Sequence, residues 1–250
     1  MQMNYYLEKM GKNKKKSLPV IRSFLLVFIP YVVYSIGLLP SILTMKFFLQ
    51  ILGFKNFFSL LSLPFILMTE LFIFSISEAI VIALVINIFK IKYEEGIYEM
   101  SLRDSVFFKF ALFSALYYPL SKILKLFSLE PIRILFMRLL GARIGKNTLI
   151  VGEIDDPPLV EIGDNTVIGG HTVILSHIGE EKLILKKVRI GRNCLIGGAA
   201  YIMPGVVMED YSVLGAKSLA TKNQVLKKGR IYVGIPAREK KFVKKEVDKE

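Results

Sequence analysis

Only two histidines occur in the 250 residues, and they stand six apart, as His171 and His177. An imidazole has a reference pKa near 6.5, so either ring can hold or release a proton at neutral pH and is suited to general-base work. Four carboxylates lie near in sequence: Asp155 and Asp156 before the pair, Glu180 and Glu181 after it. Any of them is close enough to orient a histidine or bind a hydroxyl, although acids of this kind more commonly sit solvated in turns. What decides between these roles is the scaffold that bends the chain, and its period is the same six residues.

That period runs through the C-terminal half. Ile190, Ile196, Ile202, Met208 and Leu214 follow one another at sixfold spacing, and Gly191, Gly197 and Gly215 come directly after three of them. Earlier, Ile144 and Ile150 are six apart, Ile162, Ile168 and Ile174 repeat the step, and the offset from Ile144 to Ile162 is three such steps. Three hexads make an 18-residue repeat, the pattern of short strands and tight turns stacking into a parallel β-helix of triangular section with an aliphatic interior. Gly145-Lys146-Asn147, Gly163-Asp164-Asn165, Gly191-Arg192-Asn193 and Glu209-Asp210 provide the turn residues, since Gly and Asn tolerate left-handed backbone. A β-sandwich would alternate with period two and is disfavoured. Cys194, the single cysteine, falls within a hexad as a small buried filler and forms no intrachain disulfide. The rhythm breaks between Ile174 and Ile190, and the insert around residues 178–187 is expected to leave the prism as a loop, with both histidines just before it.

The N-terminal half reads differently. Hydrophobic residues make up 53% of the chain, and the mean hydropathy of +0.48 is too high for an ordinary soluble domain. Residues 23–45 contain no charge and are bracketed by Arg22 and Lys46, which suits a transmembrane helix that Pro30 and Pro40 would kink or bound. A second apolar stretch, about 60–89, is interrupted only by Glu70 and Glu78. These acids either face a polar cavity, lie near an interface, or are neutral and bonded to another helix. Residues 105–140 mix Lys109, Lys122, Lys125, Arg133 and Arg138 into apolar sequence, the pattern of a third span or of an interfacial helix whose cations reach lipid headgroups.

Both halves are basic. Before Gly141 there are 16 Lys/Arg against 8 Asp/Glu, and from Gly141 onward 18 against 13, giving +8 and +5 of the total +13. The early cations flank apolar segments, which points to anionic lipid rather than nucleic acid. The cluster Lys12, Lys14, Lys15, Lys16 and Arg22 implies a cytoplasmic N-terminus, and two crossings then place the repeat region on the cytoplasmic face.

The stretches "IGDNTVIGGHTVILSH", "KKVRIGRNCLIGGAAYIMPGV", "LGAKSLATKN" and "VGIPAR", in that order between Gly141 and about Arg238, resemble the hexapeptide-repeat acyltransferases. The likeness is to the galactoside and xenobiotic acetyltransferases, and to the C-terminal β-helical segments of polylysine-synthetase-type peptide synthetases, which accompany membrane helices. The first 140 residues carry no comparably diagnostic motif. This resemblance implies a left-handed β-helix, a homotrimer, and acetyl-CoA or another acyl-CoA lying between neighbouring prisms, with no metal. It implies that His177 is the base acting on the acceptor, while His171 either hydrogen-bonds the acceptor or occupies a turn, with Asp155 and Asp156 nearby. It places Gly198, Ala199 and Ala200 against the pantetheine arm, Ser218, Thr221 and Lys222 on a later coil, and Arg238 near the nucleotide end. Lys217, Asn223 and the insert "GEEKLILKK" depart from the pattern and leave the acceptor open.

The expected architecture is therefore a basic N-terminus (1–22), a membrane region (23–104) and a third span or interfacial helices (105–140). A left-handed β-helix (141–236) and a short basic tail (237–250) follow. The expected function is transfer of an acyl group to a hydroxyl or amine of a membrane-proximal acceptor. Two alternatives stand beside it: a membrane-tethered trimerisation scaffold, and a zinc carbonic anhydrase of the same β-helix class. The latter needs three histidine ligands, and with two in the chain a carboxylate would have to serve as the third.

Overall fold

The computed structural model describes residues 19–53 and 57–240; the basic cluster at Lys12, Lys14, Lys15 and Lys16 lies outside them. Among the described residues two helices are long and apolar enough to cross a membrane, α1 (Val20–Leu52) and, after the short α2 (Phe57–Leu61), α3 (Leu63–Ile88). Both are apolar around their whole circumference, as expected of helices that need not present a polar face to water. Pro30 and Pro40 lie inside α1 without ending it. The two helices run antiparallel, with Gly37 beside Glu78 and Ser41 beside Glu70.

Both acids turn towards α1. The Glu70 carboxylate accepts the hydroxyls of Ser41 at 2.8 Å and Thr44 at 2.7 Å. Glu78 fills the space that the missing side chain of Gly37 leaves, so that any Cβ at Gly37 would collide with its carboxyl.

Helix α4 (Ser105–Leu126) starts where the Asp104 carboxylate accepts the N–H groups of Val106 and Phe107, an N-cap that satisfies two otherwise unpaired donors. Pro119 interrupts its ladder, and Tyr34 of α1 repairs the gap: its hydroxyl donates to the Leu116 carbonyl and accepts from the Leu120 N–H. Helix α5 (Glu130–Leu139) then leads into the prism.

The prism has three parallel faces. One stacks β2 (Arg143–Ile144), β5 (Val160–Ile162), β10 (Val188–Ile190), β13 (Val207–Met208) and β16 (Val225–Leu226). The second stacks β3 (Leu149–Ile150), β6 (Val167–Ile168), β11 (Leu195–Ile196), β14 (Val213–Leu214) and β17 (Ile231–Val233), to which β18 (Arg238–Glu239) adds antiparallel. The third stacks β4 (Glu153–Ile154), β7 (Val173–Ile174), β12 (Tyr201–Ile202) and β15 (Leu219–Ala220). The second residue of each hexad strand points inward, so that Ile150, Ile168, Ile196 and Leu214 form one fully buried ladder and Ile174, Ile202 and Ala220 another. Each buried aliphatic residue contributes roughly 1.5 to 3 kcal/mol by removal from water. Corners at Asn147, Asn165 and Asn193 adopt the left-handed backbone that this residue tolerates.

The N–H that follows an inward residue donates to the inward residue's carbonyl in the next coil, as Gly145 N–H does to Ile162 and Val151 N–H to Ile168, while corner N–H groups donate back, as Asn165 does to Lys146. The inward carbonyls of the first coil, at Ile144, Ile150 and Ile154, therefore have no preceding coil to accept from, and α4 and α5 supply the missing donors on all three faces. Arg138 donates to the carbonyls of Ile144 and Gly145, Arg133 to those of Ile150 and Gly152, and Tyr117 to that of Ile154. Lys122 and Lys125 both pair with Glu153. Four of the cations expected at lipid headgroups are thus turned onto the prism, Arg133 and Arg138 onto carbonyls that the first coil leaves open and Lys122 and Lys125 onto the Glu153 carboxylate.

Two irregularities depart from the expected rhythm. The third strand of the first coil arrives early, at Ile154, four residues after Ile150, and the extra chain before Ile162 forms a 3₁₀ turn at Pro157–Leu159. The second is the insert after Ile174, which is no loop but an antiparallel hairpin of β8 (His177–Gly179) and β9 (Leu183–Leu185). Its third strand is β1 (Gly96–Tyr98), from the segment after α3, and such a distant partner left no local trace in the repeat.

Candidate active site

The early strand and the hairpin meet at one corner of the prism. His177 is the first residue of β8, where the chain leaves the coil, and Asp156 lies in the turn that the early β4 creates. The His177 Nδ1 is 2.7 Å from Oδ2 of Asp156, a carboxyl with no exposed surface. The same Oδ2 accepts the Ser176 N–H at 3.0 Å, so it is an acceptor and the histidine Nδ1–H is the donor. That tautomer leaves Nε2 with its lone pair, the arrangement of a base oriented by a carboxylate. The imidazole keeps about a quarter of its surface accessible.

Two aromatic residues from the N-terminal half complete the corner. Tyr93 donates its hydroxyl to Oδ1 of Asp156 at 3.0 Å, and the Phe110 ring stands edge-on to His177 with centroids 5.1 Å apart. Neither residue belongs to a motif or repeat. Tyr93 is 63 positions from Asp156, and no periodicity links them.

Electrostatics follow from this geometry. Burial works against the charged imidazole, but the hydrogen bond to Asp156 and the charges of Asp156 and Asp155 outweigh it, and the His177 pKa is raised above its ordinary value. Asp155 is pushed up to about 6, first by burial and then by the adjacent Asp156 charge, with His177 opposing. Burial and the neighbouring Asp156 carboxylate raise the Tyr93 phenol well above its usual range, which keeps it a donor.

The other sequence candidates are dispersed. His171 occupies the preceding corner with a left-handed φ of 59°, exposed and separated from His177 by β7; Ala199 and Lys217 repeat that conformation in the coils beyond. Asp155 affects His177 through its charge but does not share its hydrogen bond. Gly198 and Ala199 lie on the corner with His171, where the Ala199 N–H donates to the Gly170 carbonyl and a Cβ on Gly198 would stand 3.2 Å from that oxygen. Ala200, expected beside a ligand, is sealed in the core, its carbonyl taken by the Val173 N–H, because it occupies an inward position of the hexad.

Ser218 is likewise buried, its hydroxyl oxygen accepting the Gly234 N–H. Thr221 donates to the Gln224 side chain, and Lys222 pairs with Glu180 at 2.7 Å, tying the hairpin to the turn before β16. Arg238 is exposed on β18. Among the described residues no group of three His, Cys, Asp or Glu side chains could hold a metal ion.

The family match falls within the prism. The family described as hexapeptide repeat of succinyl-transferase matches residues 187–216. YvoF of Bacillus subtilis (strain 168), described provisionally as an acetyltransferase, is 35% identical over 97 residues, covering 36% of this chain and 55% of its own length. The chain thus spans about half the length of that curated relative. A maltose O-acetyltransferase structure from Clostridium difficile 630 is 20% identical, covering 60% of this chain and 94% of its own with a TM-score of 0.47. A galactoside acetyltransferase in complex with coenzyme A is 21% identical, covering 50% and 80% with a TM-score of 0.38. The C-terminal half of this chain is a hexapeptide-repeat β-helix, similar in sequence over 97 residues to a protein described as an acetyltransferase.

Proposed function

We propose that the chain is a membrane-anchored acetyltransferase that moves an acetyl group from acetyl-CoA to a hydroxyl or amine of a membrane-proximal acceptor. The observation that carries this reading is the Asp156–His177 pair at the break in the hexapeptide prism. Nε2 of His177 takes the acceptor's proton as its oxygen or nitrogen attacks the thioester carbonyl. A bond forms from the acceptor to the carbonyl carbon, the carbon–sulfur bond breaks as the tetrahedral intermediate collapses, and the imidazolium returns its proton to the departing thiolate. Asp156 holds the ring in the tautomer that step requires and stabilises the imidazolium while it exists.

A homotrimer belongs to this reading. The outward positions of the second face are Leu149, Val167 and Leu195, continued by Val213 and Ile231, an unbroken aliphatic stripe on a surface that water would otherwise cover. The corner carrying Gly198 and Ala199 borders this face, and in this reading the CoA lies in the groove between neighbouring prisms. Antiparallel α1 and α3 act as the anchor and return the chain to the side from which it entered, the cytoplasmic one, where CoA is available. The membrane location makes a lipid-linked or cell-envelope acceptor the fitting class.

The test is a calorimetric titration of acetyl-CoA and of free CoA into the detergent-purified protein and its His177→Ala variant, with acetyl transfer measured in parallel. Saturable binding by both proteins is expected, with transfer reduced about 10²- to 10⁴-fold in the variant. No CoA binding by a folded protein makes the prism a scaffold, and unchanged transfer by the variant removes His177 from the chemistry.

A further inference from the structure

The segment that joins the membrane hairpin to the prism holds the proposed base in two independent ways. Through β1 it adds a strand to the hairpin that begins at His177, with Gly96 opposite Leu185 and Leu185 opposite His177. Through Tyr93 it reaches the carboxylate behind the ring. Asp156 is fully buried and divides its oxygens: Oδ2 faces His177 and the Ser176 N–H, while Oδ1 faces the Tyr93 hydroxyl. The tyrosine ring is itself wedged edge-on between Phe110 and Phe113 of α4, with centroids 5.3 Å away in both cases, and Phe110 is the ring that stands against His177. Tyr93, Phe110 and His177 therefore form one aromatic cluster closed around a single carboxylate.

We propose that Tyr93 is a positioning residue for the base: its hydroxyl, supplied by the membrane module, fixes Asp156 and thereby sets both the orientation and the basicity of His177. The proposal rests on the acetyltransferase reading for its catalytic meaning, but its physical content does not. A phenol donating to a carboxylate disperses that carboxylate's charge and weakens its hold on the imidazolium. With the hydroxyl present, Asp156 orients the ring without trapping it in the protonated form, which could not accept a proton from the acceptor. With it removed, Asp156 binds the imidazolium more tightly and His177 titrates at higher pH. The other groups that act on this pair are Asp155 beside it and Tyr117 and Tyr118 on α4, while Glu153 and Lys122 act on Asp155. None of these hydrogen-bonds to Asp156 as Tyr93 does.

The chain's two histidines make the test direct, because an NMR titration of full-length, detergent-solubilised protein labelled at histidine Cε1 shows two imidazole signals and a His171→Asn variant assigns them. In Tyr93→Phe the His177 midpoint is expected to rise by about half a unit, a fraction of the 1 to 3 units that an adjacent opposite charge provides. The His171 signal serves as the internal reference. Site-specific 3-fluorotyrosine at position 93, a stronger donor, should move His177 the other way and serves as the second probe if Tyr93→Phe does not fold. The acid limb of the kcat/KM profile for acetyl transfer should follow the midpoint in each protein. An unmoved His177 signal in folded proteins of both kinds overturns the proposal and leaves Tyr93 as core. Shifted midpoints without any CoA binding sink the acetyltransferase reading alone, so the two failures are distinguishable.

Discussion

Arg133 provides the sharpest test of how the two halves are joined. Its side chain is almost fully buried, and its guanidinium donates to the carbonyls of Ile150 at 2.8 Å and Gly152 at 2.9 Å while pairing with Glu130. Replacing it with Met keeps the length and leaves two first-coil carbonyls without donors in a place water does not reach. Hydrogen bonds to a charged group contribute about 1.5 to 3 kcal/mol each, and some of that is offset because a buried guanidinium no longer has to be desolvated. A net loss of about 3 kcal/mol follows, a large part of the 5 to 15 kcal/mol that a domain typically has. Arg138→Met is the control. It also removes donors to two carbonyls, but this arginine is exposed, water replaces it, and the loss should stay below about 1 kcal/mol.

Cys194, the chain's single cysteine and 2% exposed inside the prism, reports the outcome. Its rate of labelling by a thiol reagent in a urea series measures opening of the prism. A loss of about 3 kcal/mol corresponds to labelling more than a hundredfold faster in Arg133→Met, against less than about tenfold in Arg138→Met. If the two variants label alike, burial of the capping donor is not what holds the first coil.

Two pH effects follow from the same junction. Asp155 is raised to about 6, so above that pH the folded chain holds a buried charge that the unfolded chain would hold in water, and stability falls as pH rises through 6. Asp155→Asn should raise stability at pH 8 by about 1 kcal/mol and not at pH 4, read as thermal midpoints; an equal gain at both would mean that the charge is irrelevant. Glu153 is lowered to about 2, by its hydrogen bonds to Lys122 and Lys125 first. Its contribution is complete above the ordinary carboxylate range and disappears as pH falls towards 2, so pepsin should cut the junction of α4 and the prism faster across that window. In Glu153→Gln, cutting should already be fast at its upper end, and a profile like that of the parent would refute the pairing.

The prism was legible because its signal is local and repeated. Every inward residue from Ile162 to Leu214 sits at a fixed step from the last, outside the hairpin, and the asparagines at the corners take the backbone that their side chains tolerate. His177 stood out as a candidate because it borders the large break in that rhythm. Asp156 was visible as an acid but not as its partner, since the early strand that turns it inward looks like a fault in the period. Tyr93 and Phe110 carry no mark at all, because contacts across such distances leave no periodic trace. The cations of residues 122–138 were misread for a different reason. A charge within an apolar helix has the same sequence signature whether a headgroup, a backbone carbonyl or a carboxylate satisfies it, and only the packing of α4 and α5 on the first coil decides between them.

That capped end also has a direction in time. Every residue that closes the first coil, Tyr117, Arg133 and Arg138, precedes it in the chain and leaves the ribosome before it. A solenoid grows by adding each coil to an existing neighbour, and here the neighbour for the first coil is already synthesised when that coil emerges. Nascent strands thus meet a template at a single end, and the prism is laid down coil by coil from the helical cap outward.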